Sequence, residues 1–82
     1  MSGRPVKRSL TLRGHRTSVS LEDEFWAEFR RLAEARATPI NQLAAQIDAE
    51  RGLDLGLASA IRLYVLRALQ EEAAAARGDG AR

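Results

Sequence analysis

At 82 residues and a net charge of +2, the chain is sized for one domain with a small core of its own, and dimerisation is the common way to enlarge such a core. No cysteine and a single histidine exclude disulfides and thiolate metal sites, and they predict neither a metal centre nor any other cofactor. No apolar run approaches the roughly 18 residues of a membrane span. The basic start leads into no apolar signal region, so a cytoplasmic protein without a membrane partner is predicted.

The charge is unevenly spread. Residues 1–21 hold Arg4, Lys7, Arg8, Arg13 and Arg16 and no acid, whereas residues 22–82 hold eight basic residues against all eleven acids. A basic segment on an acidic body points to a polyanionic partner, nucleic acid ahead of an anionic membrane. Residues 1–7, with Gly3 and Pro5 and little to bury, are predicted to be a disordered basic arm. The folded domain is predicted over 8–76, and 77–82 as a disordered tail.

Residues 8–13 alternate weakly. They are compatible with a first strand that turns at Gly14-His15 into a local hairpin, because Gly14 permits the positive φ such turns need. His15-Arg16-Thr17-Ser18-Val19-Ser20-Leu21 alternates cleanly. Thr17, Val19 and Leu21 fall on one face, Arg16, Ser18 and Ser20 on the other, which reads as a half-buried strand. A lone short strand leaves backbone N–H and C=O groups unpaired, so its predicted partner is the same strand of a second copy. A local hairpin would satisfy one edge and leave the other free. His15, near the turn, reads first as a structural hydrogen-bonding residue.

A helix is predicted from Ser20, with the hydroxyl three residues ahead of Asp23 as a capping pattern and with Glu22, Asp23 and Glu24 at the positive end of the dipole. Phe25, Phe29 and Leu32, flanked by Trp26 and Ala33, give it a broad apolar face. Thr38 and Pro39 suit the N-cap and first position of a second helix, on which Ile40, Leu43, Ala44 and Ile47 recur at helical spacing. Gly52 suits a C-cap, and Leu53 and Leu55 are predicted to tuck inward. A third helix runs from about Leu57 to Ala76. Ile61 and Val65 lie on its main apolar face with Leu57, Tyr64 and Ala68, while Leu63, Leu66 and Leu69 fall elsewhere. A helix apolar on several sides predicts more than one neighbour, and in so short a chain a subunit contact. The predicted core and dimer residues are Val19, Leu21, Phe25, Trp26, Phe29, Leu32, Ile40, Leu43, Ile47, Ile61 and Val65.

The strand at Arg16–Leu21, the helix carrying Phe25, Phe29, Leu32 and Ala33, and Thr38-Pro39-Ile40-Asn41 opening the next helix resemble the ribbon-helix-helix DNA-binding proteins of the Arc/MetJ type. The wider run, with His15-Arg16-Thr17-Ser18, Glu24-Phe25-Trp26, Ile47-Asp48 and Ala60-Ile61-Arg62-Leu63-Tyr64-Val65-Leu66, is similar to a compact bacterial subgroup of that family. The fold class this implies is mainly α with one short β-ribbon, an intertwined homodimer, plus a third C-terminal helix. The resemblance further implies a transcriptional regulator of double-stranded DNA whose two strands pair antiparallel and enter the major groove.

Carried onto this chain, the base-contacting positions are Arg16, Ser18 and Ser20. Phosphate contacts fall to Thr38, Ile40 and Asn41 at a helix N-terminus, with Lys7, Arg8 and Arg13 from the basic segment. Three features depart from the pattern. Pro39 lacks an N–H, Ala37 stands where glycine would ease the turn, and the break at Gly52–Gly56 with the third helix extends beyond the minimal fold. The second helix has two readings: Pro39–Arg51, preferred for its short turn, or an opening at Ala58-Ser59-Ala60-Ile61-Arg62. The alternative function is a protein-interaction module, such as the antitoxin of a toxin–antitoxin pair, with the protein partner on the C-terminal helix. No nucleophile, base and acid have a triad-like spacing and no Walker-type loop is present, so no enzyme is predicted.

Overall fold

The computed structural model describes residues 3–78, in the order β1 (Val6–Leu12), β2 (His15–Leu21), α1 (Asp23–Ala35), α2 (Ile40–Glu50) and α3 (Leu57–Arg77). The predicted disorder at 1–2 and 79–82 lies outside the described residues.

The two strands form an antiparallel hairpin from Val6↔Leu21 to Leu12↔His15. The neighbour of β2 is therefore β1 of the same chain, where the sequence reading placed a second copy. The strand begins at Val6, so Val6 and Lys7 leave the arm predicted over 1–7. The turn is Arg13-Gly14 rather than Gly14-His15. Both residues have positive φ, 51° and 84°, the requirement of a two-residue type I′ turn whose twist suits a hairpin. Alternation explains the pairing. Leu10, Leu12, Val19 and Leu21 are buried on one face, and β1 supplies two of these four anchors.

Because the ladder runs through Leu21, helix α1 starts at Asp23, not at Ser20. Glu22 is its N-cap residue and makes no side-chain cap bond, so the predicted Ser20 capping box does not form. Ser20 sits opposite Lys7 in the sheet instead. Helix α1 ends in a Schellman motif: Thr38 N–H donates to Ala33 O at 2.9 Å and Ala37 N–H to Glu34 O at 3.0 Å. Ala37 occupies the left-handed position of that motif with φ 50°.

Gly52, with φ 76°, follows α2 as expected of a C-cap glycine. Arg51 then closes the loop, donating to Asp48 Oδ1 and to Leu55 O at 2.7 and 2.6 Å. This leaves Leu53 at the apex, 102 % exposed, so it does not tuck inward, whereas Leu55 is half-buried. Helix α3 runs through Arg77 into a left-handed Gly78, two residues into the predicted tail.

The core joins the inner hairpin face to all three helices. Val19, Leu21, Phe29, Leu32, Leu43, Ile47, Ile61 and Val65 are buried, and Phe25, Trp26 and Ile40 pack partly buried against them. Helix α1 lies beside α3 in the same direction, held at one end by Glu22–Arg62 and at the other by Arg31, which donates to both Glu72 oxygens at 2.9 and 3.3 Å. Leu69 joins the core, but Leu63 and Leu66 of α3 are 37 % and 48 % exposed. No helix among the described residues is long and apolar enough to cross a membrane.

Candidate nucleic-acid interface

Opposed residues of an antiparallel pair share a face. The register therefore sorts the hairpin into an inner face, with the three buried leucines and Val19, and an outer face of three cross-strand rungs: Lys7↔Ser20, Ser9↔Ser18 and Thr11↔Arg16. All six of these side chains are exposed. Arg16, Ser18 and Ser20 lie on one face as the alternation predicted. Of their opposite numbers, sequence reasoning missed Ser9 and Thr11 and named Lys7 only as a phosphate contact of the basic segment, because it left the first strand open. Their own two-residue alternation with Leu10 and Leu12 carries the signal. With Arg13 exposed at the turn, the surface holds three cations, four hydroxyls and no acid.

The other basic candidate in this segment turns away. Arg8 lies on the inner register, opposite Val19, where its Nη2 donates to Asp23 Oδ1 and reaches Leu21 O at 3.5 Å. Its guanidinium sits 5.4 Å from the Trp26 ring centroid. Arg8 thus stitches β1 to the start of α1 and does not join Lys7 and Arg13 on the solvent side. His15 is exposed and closes the hairpin opposite Leu12.

Helix α2 opens beside the hairpin. Thr11 N–H donates to Asn41 Oδ1 at 3.0 Å, which brings the first turn of α2 to the outer edge of β1 near Arg16. Thr38 Oγ1 donates backwards to Arg36 O at 3.0 Å, and Pro39 in the N-cap place supplies no side-chain bond. The amides of Ile40, Asn41 and Gln42 thus open the helix without a side-chain cap, at the end where a helix favours an anion.

The ribbon-helix-helix domain profile matches residues 5–69, from the residue before β1 well into α3. The chain belongs to the ribbon-helix-helix family. No curated protein and no solved structure matches it significantly.

As a ribbon-helix-helix protein it has the two-stranded ribbon, the helices that follow and an extra C-terminal helix. Both candidate second helices form. Helix α2 packs on β1, while α3 packs on β2, the strand with Arg16, Ser18 and Ser20. Arg62 marks that contact, with Nη2 donating to Ser20 O and Nε to Glu22 Oε1, both at 3.0 Å. That hydrogen bond, with help from the Glu22 backbone, holds the Glu22 carboxyl below the ordinary glutamate value. Away from the ribbon, a cleft of about 420 Å³ lies between α2 and α3, where Arg36, Arg51 and Arg67 are offset by Glu50 and Glu71. Tyr64 lines it, but its hydroxyl oxygen is buried without a hydrogen-bond partner, and desolvation pushes its pKa up. Among the described residues no group of three histidine, cysteine, aspartate or glutamate side chains is placed to hold a metal.

Proposed function

We propose that this ribbon-helix-helix protein is a homodimeric, sequence-selective DNA-binding regulator of transcription that docks the outer face of its β-ribbon in the major groove. One observation carries the reading: six exposed polar side chains on two paired strands, two of them cationic, with no acid among them. A two-stranded ribbon fits the major groove, where arginine and lysine donate to guanine, and hydroxyls serve several bases. Arg16, Ser18 and Ser20 contact base edges. Lys7 and Arg13, together with Asn41, Thr38 and Ile40 at the start of α2, meet phosphates. The dimer buries Leu63 and Leu66 of α3, which the chain's own core leaves exposed.

The test is selection from a random-sequence duplex pool, followed by a salt titration of the enriched site. Enrichment is expected. If the dimer neutralises about six to ten phosphates, affinity falls about 10³–10⁵-fold between 50 and 200 mM salt. Arg16→Ala costs about 1–3 kcal/mol and relaxes the preference at one base pair. Absence of binding at low salt would sink the proposal.

The same exposure of Leu63 and Leu66 favours a second reading, in which α3 docks a different protein, as an antitoxin covers its toxin. Sedimentation of the purified chain separates the two: a stable dimer weakened by Leu66→Glu favours self-association, and a monomer indifferent to that change favours another partner.

A further inference from the structure

We infer that the cleft between α2 and α3 binds a small zwitterion with an apolar side chain, the chemistry of a free α-amino acid. The site itself is independent of the DNA-binding reading above, and only its effect on the ribbon rests on that reading.

Size and lining come first. At about 420 Å³ the cleft has the dimensions of a small-molecule site, and such sites are concave, mostly apolar and furnished with a few polar groups. Its buried lining is apolar: Ile47, Ala60 and Ala68, with Leu55 half-buried beside them. That surface suits an apolar side chain.

The charges select the ligand. Arg51 is already held by Asp48 and the Leu55 carbonyl. The side chains of Arg36, Arg67, Glu50 and Glu71 line the same cleft, and none of them forms an ion pair among the described residues. Two unpaired cations thus face two unpaired anions. A ligand of one sign meets as much repulsion as attraction there, whereas a ligand of both signs finds a partner for each.

Tyr64 fixes where the charged end lies. Its hydroxyl is buried without a hydrogen-bond partner, and desolvation raises its pKa, so it keeps its proton and can donate. The Arg36 guanidinium stands 5.1 Å from the Tyr64 ring centroid, and the charges of Arg36 and Glu71 both act on that hydroxyl. Both signs are therefore felt at one point of the cleft. An α-amino acid carries its carboxylate and ammonium on one carbon, which matches: the carboxylate accepts from Tyr64 and Arg36, and the ammonium donates to Glu71.

Occupancy would be felt at the ribbon. Helix α2 holds β1 through Asn41 and Thr11, and α3 holds β2 through Arg62 and Ser20. A ligand that bridges α2 and α3 fixes the supports of the two strands against each other.

The experiment is thermal denaturation of the full chain without DNA. The probes are the apolar L-amino acids, with 3-phenylpropionate and phenethylamine as carriers of one charge each. At about 10 mM, an amino acid with a Kd of about 1 mM should raise the melting temperature by about 5–10 °C. The one-charge analogues of phenylalanine should bind about tenfold more weakly than L-phenylalanine, or worse. Arg67→Ala, Glu71→Gln and Tyr64→Phe, each checked for folding by circular dichroism, should weaken the best probe by a similar factor. No shift with any apolar amino acid, or equal binding by the one-charge analogues, overturns the site. Leu63, assigned above to the dimer contact, also lines the cleft. Self-association that Arg67→Ala and Glu71→Gln weaken, without any probe binding, would make the cleft a contact between copies and overturn the site as well. Because these measurements contain no DNA, their failure leaves the DNA reading standing, and a chain that binds no duplex leaves the site standing. On the DNA-binding reading, saturating probe should change affinity for the selected duplex by about 5- to 150-fold. Unchanged affinity overturns the coupling between cleft and ribbon.

Discussion

Arg62 and Glu22 meet at 3.0 Å, guanidinium Nε to carboxylate Oε1, at the point where the ribbon hands over to α1. The same guanidinium holds Ser20 O and lies 5.8 Å from the Phe25 ring centroid. One side chain of α3 thus fixes the end of the ribbon relative to the helix that follows it. The Glu22 carboxyl has its pKa lowered by this bond. A carboxyl with a folded pKa below its unfolded one contributes stability in full above the ordinary glutamate range, about pH 4–5, and loses it as the pH falls through the folded value. The melting temperature of the wild type should therefore drop more between pH 7 and pH 3 than that of Glu22→Gln. Parallel pH profiles for the two proteins would show that the pair contributes nothing.

Ala37 is a stability reserve. It holds φ 50° in the Schellman motif between α1 and α2, a conformation that costs a residue with a Cβ about 1–2 kcal/mol. Glycine removes that strain and gives back part of the gain through the entropy of the unfolded chain. Ala37→Gly should raise stability by up to about 1 kcal/mol, roughly 4–8 °C in melting temperature for a domain of this size. Thermal denaturation reads it directly, and a lower melting temperature would mean that the Ala37 methyl is worth more than its strain.

The aromatic residues of α1 should rank by depth. Phe29 is fully buried and lies edge-on to Tyr64, with centroids 6.3 Å apart. Trp26 is only partly buried and spends one ring face on Arg8. Phe29→Ala should cost about 3–5 kcal/mol, in the range for a buried aromatic. Trp26→Ala should cost less, and urea denaturation of the two variants gives the order. A larger loss at Trp26 would place that ring in a second interface, one formed with another chain.

Periodicity made the helices legible because each buries a face of its own: Phe29 and Leu32, then Leu43 and Ile47, then Ile61 and Val65 recur at helical spacing and are all buried. It also placed Arg16, Ser18 and Ser20 on one face. Other features depend on partners distant in sequence. Ser20 fits a capping pattern locally, yet pairing with Lys7 keeps it in the strand. Arg8 reads as one more cation of a basic arm, and only the position of Asp23 and Trp26 turns it inward. Val6 and Lys7 read as arm because their reason to be ordered, Leu21 and Ser20 across the hairpin, lies fifteen and thirteen residues away. Leu53 looked apolar enough to bury, but the Arg51–Leu55 bond folds the loop beneath it.

Tyr64 carries a hydroxyl that the fold does not satisfy. Its oxygen is buried without a partner, and the Arg36 guanidinium stands 5.1 Å from the ring centroid rather than on the oxygen. A buried hydroxyl with no hydrogen bond is destabilising by about 1–3 kcal/mol relative to the same site without it. Tyr64→Phe should therefore leave stability unchanged or raise it, and, on the proposed DNA-binding function, should keep DNA affinity, because the residue lies away from the ribbon. A clear loss of stability in denaturant titration would reveal a bond to that oxygen in solution.

Arg13 offers the sharpest separation of fold from function. It takes the first central position of the type I′ turn with φ 51°, where asparagine, aspartate or glycine is the favoured residue. An arginine there strains the backbone and holds an exposed cation at the tip of the ribbon, beside the Thr11↔Arg16 rung. Strain of this kind persists where function retains it. Arg13→Asn should stabilise the hairpin by a few tenths of a kcal/mol to about 1 kcal/mol, since asparagine tolerates the left-handed region better. On the DNA-binding function proposed above, the same change removes a phosphate contact. It should weaken binding to all duplex sequences alike and reduce the slope of log affinity against log salt by about one for each protomer engaged. Melting curves and fluorescence anisotropy on the same variant read the two effects independently. A variant that melts higher and binds with an unchanged salt slope would take Arg13 out of the interface, and the turn would then keep its arginine for a reason other than DNA.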